Sequence, residues 1–111
     1  MNILEELNTL LSNLPIPVET GVFSEEPPDE YCVLTPLVKE YAFFADNRPQ
    51  VDVHEVRITL YSKWNYLLRE TQITAAVLDA DFTITDRHYI AHEDDTGFHS
   101  VAIEVSKHYQ L

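Results

Sequence analysis

Leu4, Leu7, Leu11 and Leu14, joined by Ile3 and Leu10, recur at spacings of three and four, which places one apolar stripe on an amphipathic helix. Asn2 is placed to cap it, with Glu5 three residues on to complete a capping box. Pro15 and Pro17 end it, because proline disfavours helical backbone in the residue before it and lacks an amide donor. The spacing predicts a helix over residues 2–14. The pattern then becomes β-like. Residues 18–23 read as a short strand, followed by an acidic, proline-rich break at 24–29. Residues 31–38 read as a second strand, in which Pro36 implies an edge or a bulge. Residues 41–45 can prolong that strand into an arm, and Asp46, Asn47, Arg48 and Pro49 have the residue types of a turn.

Residues 51–62 form the clearest strand, but the apolar positions change face part-way. Val51 and Val53 share one side, whereas Val56, Ile58 and Leu60 share the other. One extra residue at His54-Glu55, a β-bulge, would bring both sets together; alternatively the first half of the strand faces a different partner. After Trp64 the helical period returns with Tyr66, Ile73, Val77 and Ala80, predicting a helix over 65–80. Residues 82–90 and 98–109 read as strands joined by a connection containing Gly97. Val101, Ile103 and Val105 alternate there with Ala102, Glu104 and Ser106, as in a half-buried hairpin strand. The order α-β-β-β-α-β-β predicts an α+β fold: a two-layer sandwich of a mainly antiparallel sheet and two helices, ending in a β-hairpin. One domain over residues 1–111 accommodates it.

Composition narrows the function. Asp and Glu number 19 against 7 Lys and Arg, a formal charge of −12, and such a surface repels phosphate backbones and anionic membranes. The acids run along the whole chain, concentrated at Glu25-Glu26, Asp29-Glu30 and Glu93-Asp94-Asp95, so they do not form a solvating tail. Cys32 is the only cysteine and lies in an apolar run, which fits a buried small hydrophobe and a reducing site of synthesis. With no basic leader and no apolar run approaching 18 residues, neither export nor membrane insertion is expected.

Candidate chemistry is sparse. His88, His92 and His99 fall in the last hairpin beside Glu93, Asp94 and Asp95. Residues four apart in a strand are about 13 Å apart, however, too far for His88 and His92 to share one zinc ion. Acid pairs are too plentiful to mark a hydrolase, and two isolated glycines make no phosphate loop. No catalytic, cofactor-binding or metal-binding residue is assigned, and no cofactor is expected. Tyr41, Phe43, Phe44, Asn47, Arg48 and Pro49 are the candidate protein-interaction residues. They combine aromatics and arginine around a polar turn, the residue types enriched at interface centres. Strand alternation lets only one of Phe43 and Phe44 face inward.

Over nearly its whole length the chain resembles the tail-completion or head-to-tail joining proteins (tail terminator and neck proteins) of long-tailed bacteriophages and prophages. The resemblance is carried by the leucine helix, the acidic proline-rich loop leading into Tyr31-Cys32-Val33-Leu34, and the strand Val56-Arg57-Ile58-Thr59-Leu60-Tyr61-Ser62. A helix follows, and then a hairpin turning at Asp94-Asp95-Thr96-Gly97-Phe98-His99. It implies a virion structural subunit of the tail or neck, assembled in the bacterial host cytoplasm. That subunit would associate with itself, commonly as a hexameric ring, and with neck connector and tail tube proteins, with no active site and no cofactor. The charge then has a reading of its own: acids gathered on a face lining the path of passing DNA would not hold a polyanion in place. Two other classes remain open, an acidic module that inhibits a host protein by mimicking DNA and a small hydrolase built on an acid pair or the three histidines.

Overall fold

The computed structural model describes residues 2–21, 26–45 and 47–111, the side chain of Phe43 excepted. Helix α1 (Ile3–Ser12) starts as its sequence dictates: the Asn2 side chain accepts from the Glu5 amide at 2.9 Å and donates to the Glu5 carboxylate at 3.2 Å. It ends two residues before the expected limit, Asn13 serving as the C-cap ahead of the prolines. Strand β1 is the short Val18–Thr20 and pairs in parallel with β2 (Glu30–Ala45). The remainder of the expected first strand, Val22 and Phe23, lies outside the described residues, as does Asp46 of the expected turn. β2 continues without interruption through residues 41–45, so the arm is part of the strand.

Strand β3 (Arg48–Ser62), helix α2 (Tyr66–Asp79, capped by Asn65) and the antiparallel hairpin of β4 (Thr83–His92) and β5 (His99–Gln110) complete the chain. The five strands lie in the order β1-β2-β3-β5-β4, antiparallel except at β1. The α+β sandwich and its element order are as the pattern predicts.

Both helices cover one side of the sheet. Leu7 and Leu11 of α1 and Ile73 and Val77 of α2 pack on Cys32, Leu34, Val56, Ile58, Leu60, Val101, Ile103 and Val105, all fully or almost fully buried. Each large side chain so enclosed contributes about 1.5–3 kcal/mol. One polar cluster is built into this layer: buried Glu30 accepts from Arg69 Nε at 2.6 Å and from the Ser62 hydroxyl at 3.0 Å. Arg69 also donates to the carbonyl of Leu14, tying α2 to the end of α1.

Among the described residues, the other side of the sheet carries no helix. At one end it is closed by Phe98, which sets its ring edge-on to Tyr31 at 5.6 Å while Tyr31 and Tyr61 stack at 4.8 Å. Gly97, at φ +80°, provides the left-handed turn that brings Phe98 over.

Candidate protein interface

At the opposite end from Phe98 the β2–β3 hairpin runs past the helix layer. Among the described residues, no hydrophobic side chain from 37 to 53 belongs to the buried core or packs against it, and the molecule measures 55 × 26 × 23 Å. β5 accompanies the hairpin as far as Val51, which lies opposite Ala42, leaving residues 43–45 and 47–50 as a two-stranded ribbon. Ala45 pairs with Arg48, and Asn47 stands between them at φ +62°, a left-handed conformation that asparagine tolerates.

The change of face inside β3 now has a cause. β3 keeps a continuous register with β5 from Val51 to Ser62, so there is no bulge at His54-Glu55. The irregularity is on β2, where Leu37 is the extra residue between Pro36, opposite Val56, and Val38, opposite Glu55. Pro36 lies beyond the end of β1, where the outer flank of β2 has no neighbouring strand among the described residues. Val51 and Val53 therefore face the side away from the helices. There they adjoin Ala42 and Glu40, with Val38 and the Phe44–Pro49 pair further along the same side. Phe44 is 64% exposed, while Val51 and Val53 are half-buried by their neighbours in the ribbon. On the helix-facing side of the arm stand Lys39, Tyr41 and Arg48, all exposed.

Five of the chain's cations are neutralised within the domain: Arg57 by Glu104, Lys63 by Asp29, Arg69 by Glu30, Arg87 by Glu70 and Lys107 by Glu6. Among the described residues, the remaining two, Lys39 and Arg48, have no carboxylate within 4.0 Å, and both are on the arm. The acids do not gather on one face. Glu5, Glu6, Glu70 and Asp79 are on the helices, Glu55, Asp86 and Glu104 lie across the bare side of the sheet, and Glu93, Asp94 and Asp95 are at the β4–β5 turn. Among the described residues the acids therefore form no wall along one face of the chain.

The three candidate histidines separate. His92 and His99 stack at 4.4 Å on the helix side, where His99 also packs on Tyr66 of α2. His88 is on the bare side, 2.7 Å from Asp86. Ligand atoms of Asp86, His88 and Glu104 lie within 4.8 Å of one another, but the Glu104 carboxylate is already held by Arg57 at 3.1 Å. The cluster is a hydrogen-bonded surface network. Cys32 is fully buried; burial pushes its thiol up to about 12, Glu30 adding to the rise and Arg69 opposing it, so it stays protonated at neutral pH.

Of the six candidate interaction residues, Tyr41, Phe44, Asn47, Arg48 and Pro49 do come together on the arm, and the side chain of Phe43 lies outside the described residues. The apolar side made by Val38, Val51 and Val53 belongs with them. A second apolar patch, not expected from sequence, sits at the far end of β3: Trp64, Leu67 and Leu68 are 61%, 60% and 54% exposed. Trp64 and Leu68 wall a cleft there with Gln72 and the Arg69–Glu30 pair. The sequence carried a signal for it, since both leucines fall off the stripe of Tyr66, Ile73 and Val77.

No family model and no curated protein sequence matches the chain. Solved structures resemble it, and one of them shares its fold. One, a protein bearing no functional name, is 16% identical, with 99% of this chain and 98% of that one covered at a TM-score of 0.56. Another, a chain from the virion of a native gene transfer agent particle, is 13% identical, with 95% and 84% covered at a TM-score of 0.48. Among the described residues no helix is long and apolar enough to cross a membrane.

Proposed function

We propose that this chain is a non-catalytic structural subunit of a bacteriophage or prophage particle that completes the tail or joins it to the head. It works without a cofactor, and the β2–β3 arm is its contact with other subunits. One observation carries the reading: the arm presents Phe44, Pro49, Val51 and Val53 on a side that no helix or core residue covers among the described residues. An isolated two-stranded ribbon is marginally stable in water, and exposed apolar strand surface is an aggregation hazard unless a binding partner covers it. The resemblance read from the sequence supplies the setting: a tail or neck position in the virion, assembly in the host cytoplasm, and contacts with further copies in a hexameric ring, with neck connector and with tail tube proteins. The scattered acids favour this over a DNA mimic, which needs its carboxylates arrayed along one surface.

The test is complementation of a phage or prophage deleted for this gene. Wild-type chain should restore joined, infectious particles, and Phe44→Asp, still folded, should leave heads and tails separate. Joined, infectious particles from the deletion itself would refute the proposal.

A further inference from the structure

Helix α2 carries two apolar stripes. Ile73 and Val77 face the sheet and are buried. On the outer side Leu67, Leu68, Thr71, Ala75 and Leu78 are all exposed, and at 3.6 residues per turn they fall within an arc of about 100°. Trp64, just before the Asn65 cap, extends the row at its N-terminal end, where it walls a cleft with Leu68. The charged residues of α2 lie outside that arc. Arg69 and Glu70 are half-buried and paired with Glu30 and Arg87, and Asp79 is the last residue of the helix. The Thr71 hydroxyl donates to the Leu67 carbonyl at 3.0 Å, so its polar group is satisfied within the helix. A surface helix turns its charges to water, whereas one that is apolar on both sides is covered on both.

The shape and the charge of this outer row define what covers it. Large side chains stand at its ends, Trp64, Leu67 and Leu68 at one and Leu78 at the other, with the small Thr71 and Ala75 between them. From Leu67 to Leu78 the row runs roughly 17 Å at about 1.5 Å per residue. A straight row with spacings of three and four and a low centre is the surface into which a ridge of a second helix packs. Both ends are acidic. Asp79 and Asp81 lie at the C-terminal end, and Glu93, Asp94 and Asp95 are in the β4–β5 turn, next to the N-terminal end, where His99 packs on Tyr66. All five acids are exposed, and among the described residues none has a lysine or arginine within 4.0 Å. Lys63, Arg69 and Arg87, the cations around α2, are taken up by Asp29, Glu30 and Glu70.

We infer that the outer face of α2 docks an amphipathic helix of a different protein, apolar side on the row and lysines or arginines against the acids at its two ends. A second copy is a poor occupant, because it would bring the same acids to the same rim, like charge against like. The surface is on the helix side of the sheet and separate from the arm, and its occupancy does not depend on the assembly role.

Trp64 is the chain's single tryptophan, so its emission reports on the row directly. The probe is a tryptophan-free synthetic peptide of about 18 residues, long enough to hold a helix, with leucine at every third or fourth position and lysine elsewhere. Titrated into the full chain, it should shift Trp64 emission to the blue and saturate at one peptide per chain. The same peptide with glutamate for lysine should leave the emission unchanged. Ala75→Lys, its fold checked by circular dichroism, should bind the lysine peptide about 10-fold more weakly, because it sets a charge in the middle of the apolar row. Gln50→Lys, the same charge change on the exposed arm, should stay within about 2-fold of wild type, being well beyond a screening length from the row. Asp79→Asn with Asp81→Asn should weaken binding about 3-fold, and more at low salt.

Unchanged Trp64 emission with the lysine peptide would overturn the docking site, as would Ala75→Lys binding like wild type. Equal binding of the glutamate peptide would overturn the basic partner. The same blue shift with phosphatidylcholine vesicles would make the row a lipid-facing surface, and a shift that follows dimerisation of the chain alone in sedimentation velocity would make its occupant a second copy. Either result would overturn the helical partner. None of these readouts involves particle assembly, so failure here and failure of the assembly reading are distinguishable.

Discussion

Ile58 and Val53 stand five residues apart on the same strand, yet they live in different environments. Ile58 faces the helices and is fully buried; Val53 faces the bare side of the arm and is half-buried by its own ribbon. The strand does not change between them. What changes is the cover, because the helices end where the body ends and β3 continues. A sheet that outruns its helix layer keeps its hydrogen-bonded pairing but loses the apolar packing that would stabilise it, so its remaining apolar surface is available to another molecule.

Substitutions at the two regions should therefore report through different measurements. The largest effect on stability belongs to the body: Ile58→Ala should cost about 2–5 kcal/mol in chemical denaturation, since it opens a cavity beneath both helices. Arg69→Met should follow at about 2–3 kcal/mol, because it strands the buried Glu30 carboxylate with only the Ser62 hydroxyl. Cys32 adds a pH dependence. Its folded-state value is raised, so the folded chain holds a proton that the unfolded chain releases, and stability should fall as pH rises from 9 toward 12. The Cys32 share of the slope is at most about 1.4 kcal/mol per pH unit and should be lost in Cys32→Ala, read from unfolding midpoints between pH 9 and 10, below the range in which Tyr31 and Tyr109, also raised by burial, add a fall of the same sign. Phe44→Asp should change stability by less than about 0.5 kcal/mol while removing assembly. A large destabilisation by Phe44→Asp would dissolve the contrast, making the arm tip part of the folded core.

Most of the body was legible in the sequence because local rules decide it. The leucine spacing, the Asn2 and Asn65 caps and the alternation of Val101, Ile103 and Val105 each point to one structure, and tertiary packing agrees with them. The arm was half legible. Tyr41, Phe44, Arg48 and Pro49 were recognisable by type, but Val51 and Val53 were ambiguous, because an apolar pattern records which side is buried and not what buries it. A bulge at His54-Glu55 and a change of cover produce the same pattern; the bulge is on the opposite strand, at Leu37, where Pro36 marks the irregularity. The Trp64 patch was missed because residues off a helical stripe read as solvated until their exposure is known. His88 could not be separated from His92 and His99 on paper, since the two irregularities in β4 reset the side to which each residue points.

As a contact with other subunits, the arm would be covered in the assembled particle and bare in the free chain. Hydroxyl-radical footprinting of Tyr41 and Phe44, in the isolated chain and in purified particles, tests it most directly. Tyr89, exposed on the body and remote from the arm, serves as the reference. Tyr41 and Phe44 should label strongly in the free chain and be strongly protected in the particle, with Tyr89 changing less. Equal labelling of the arm in both states would contradict it.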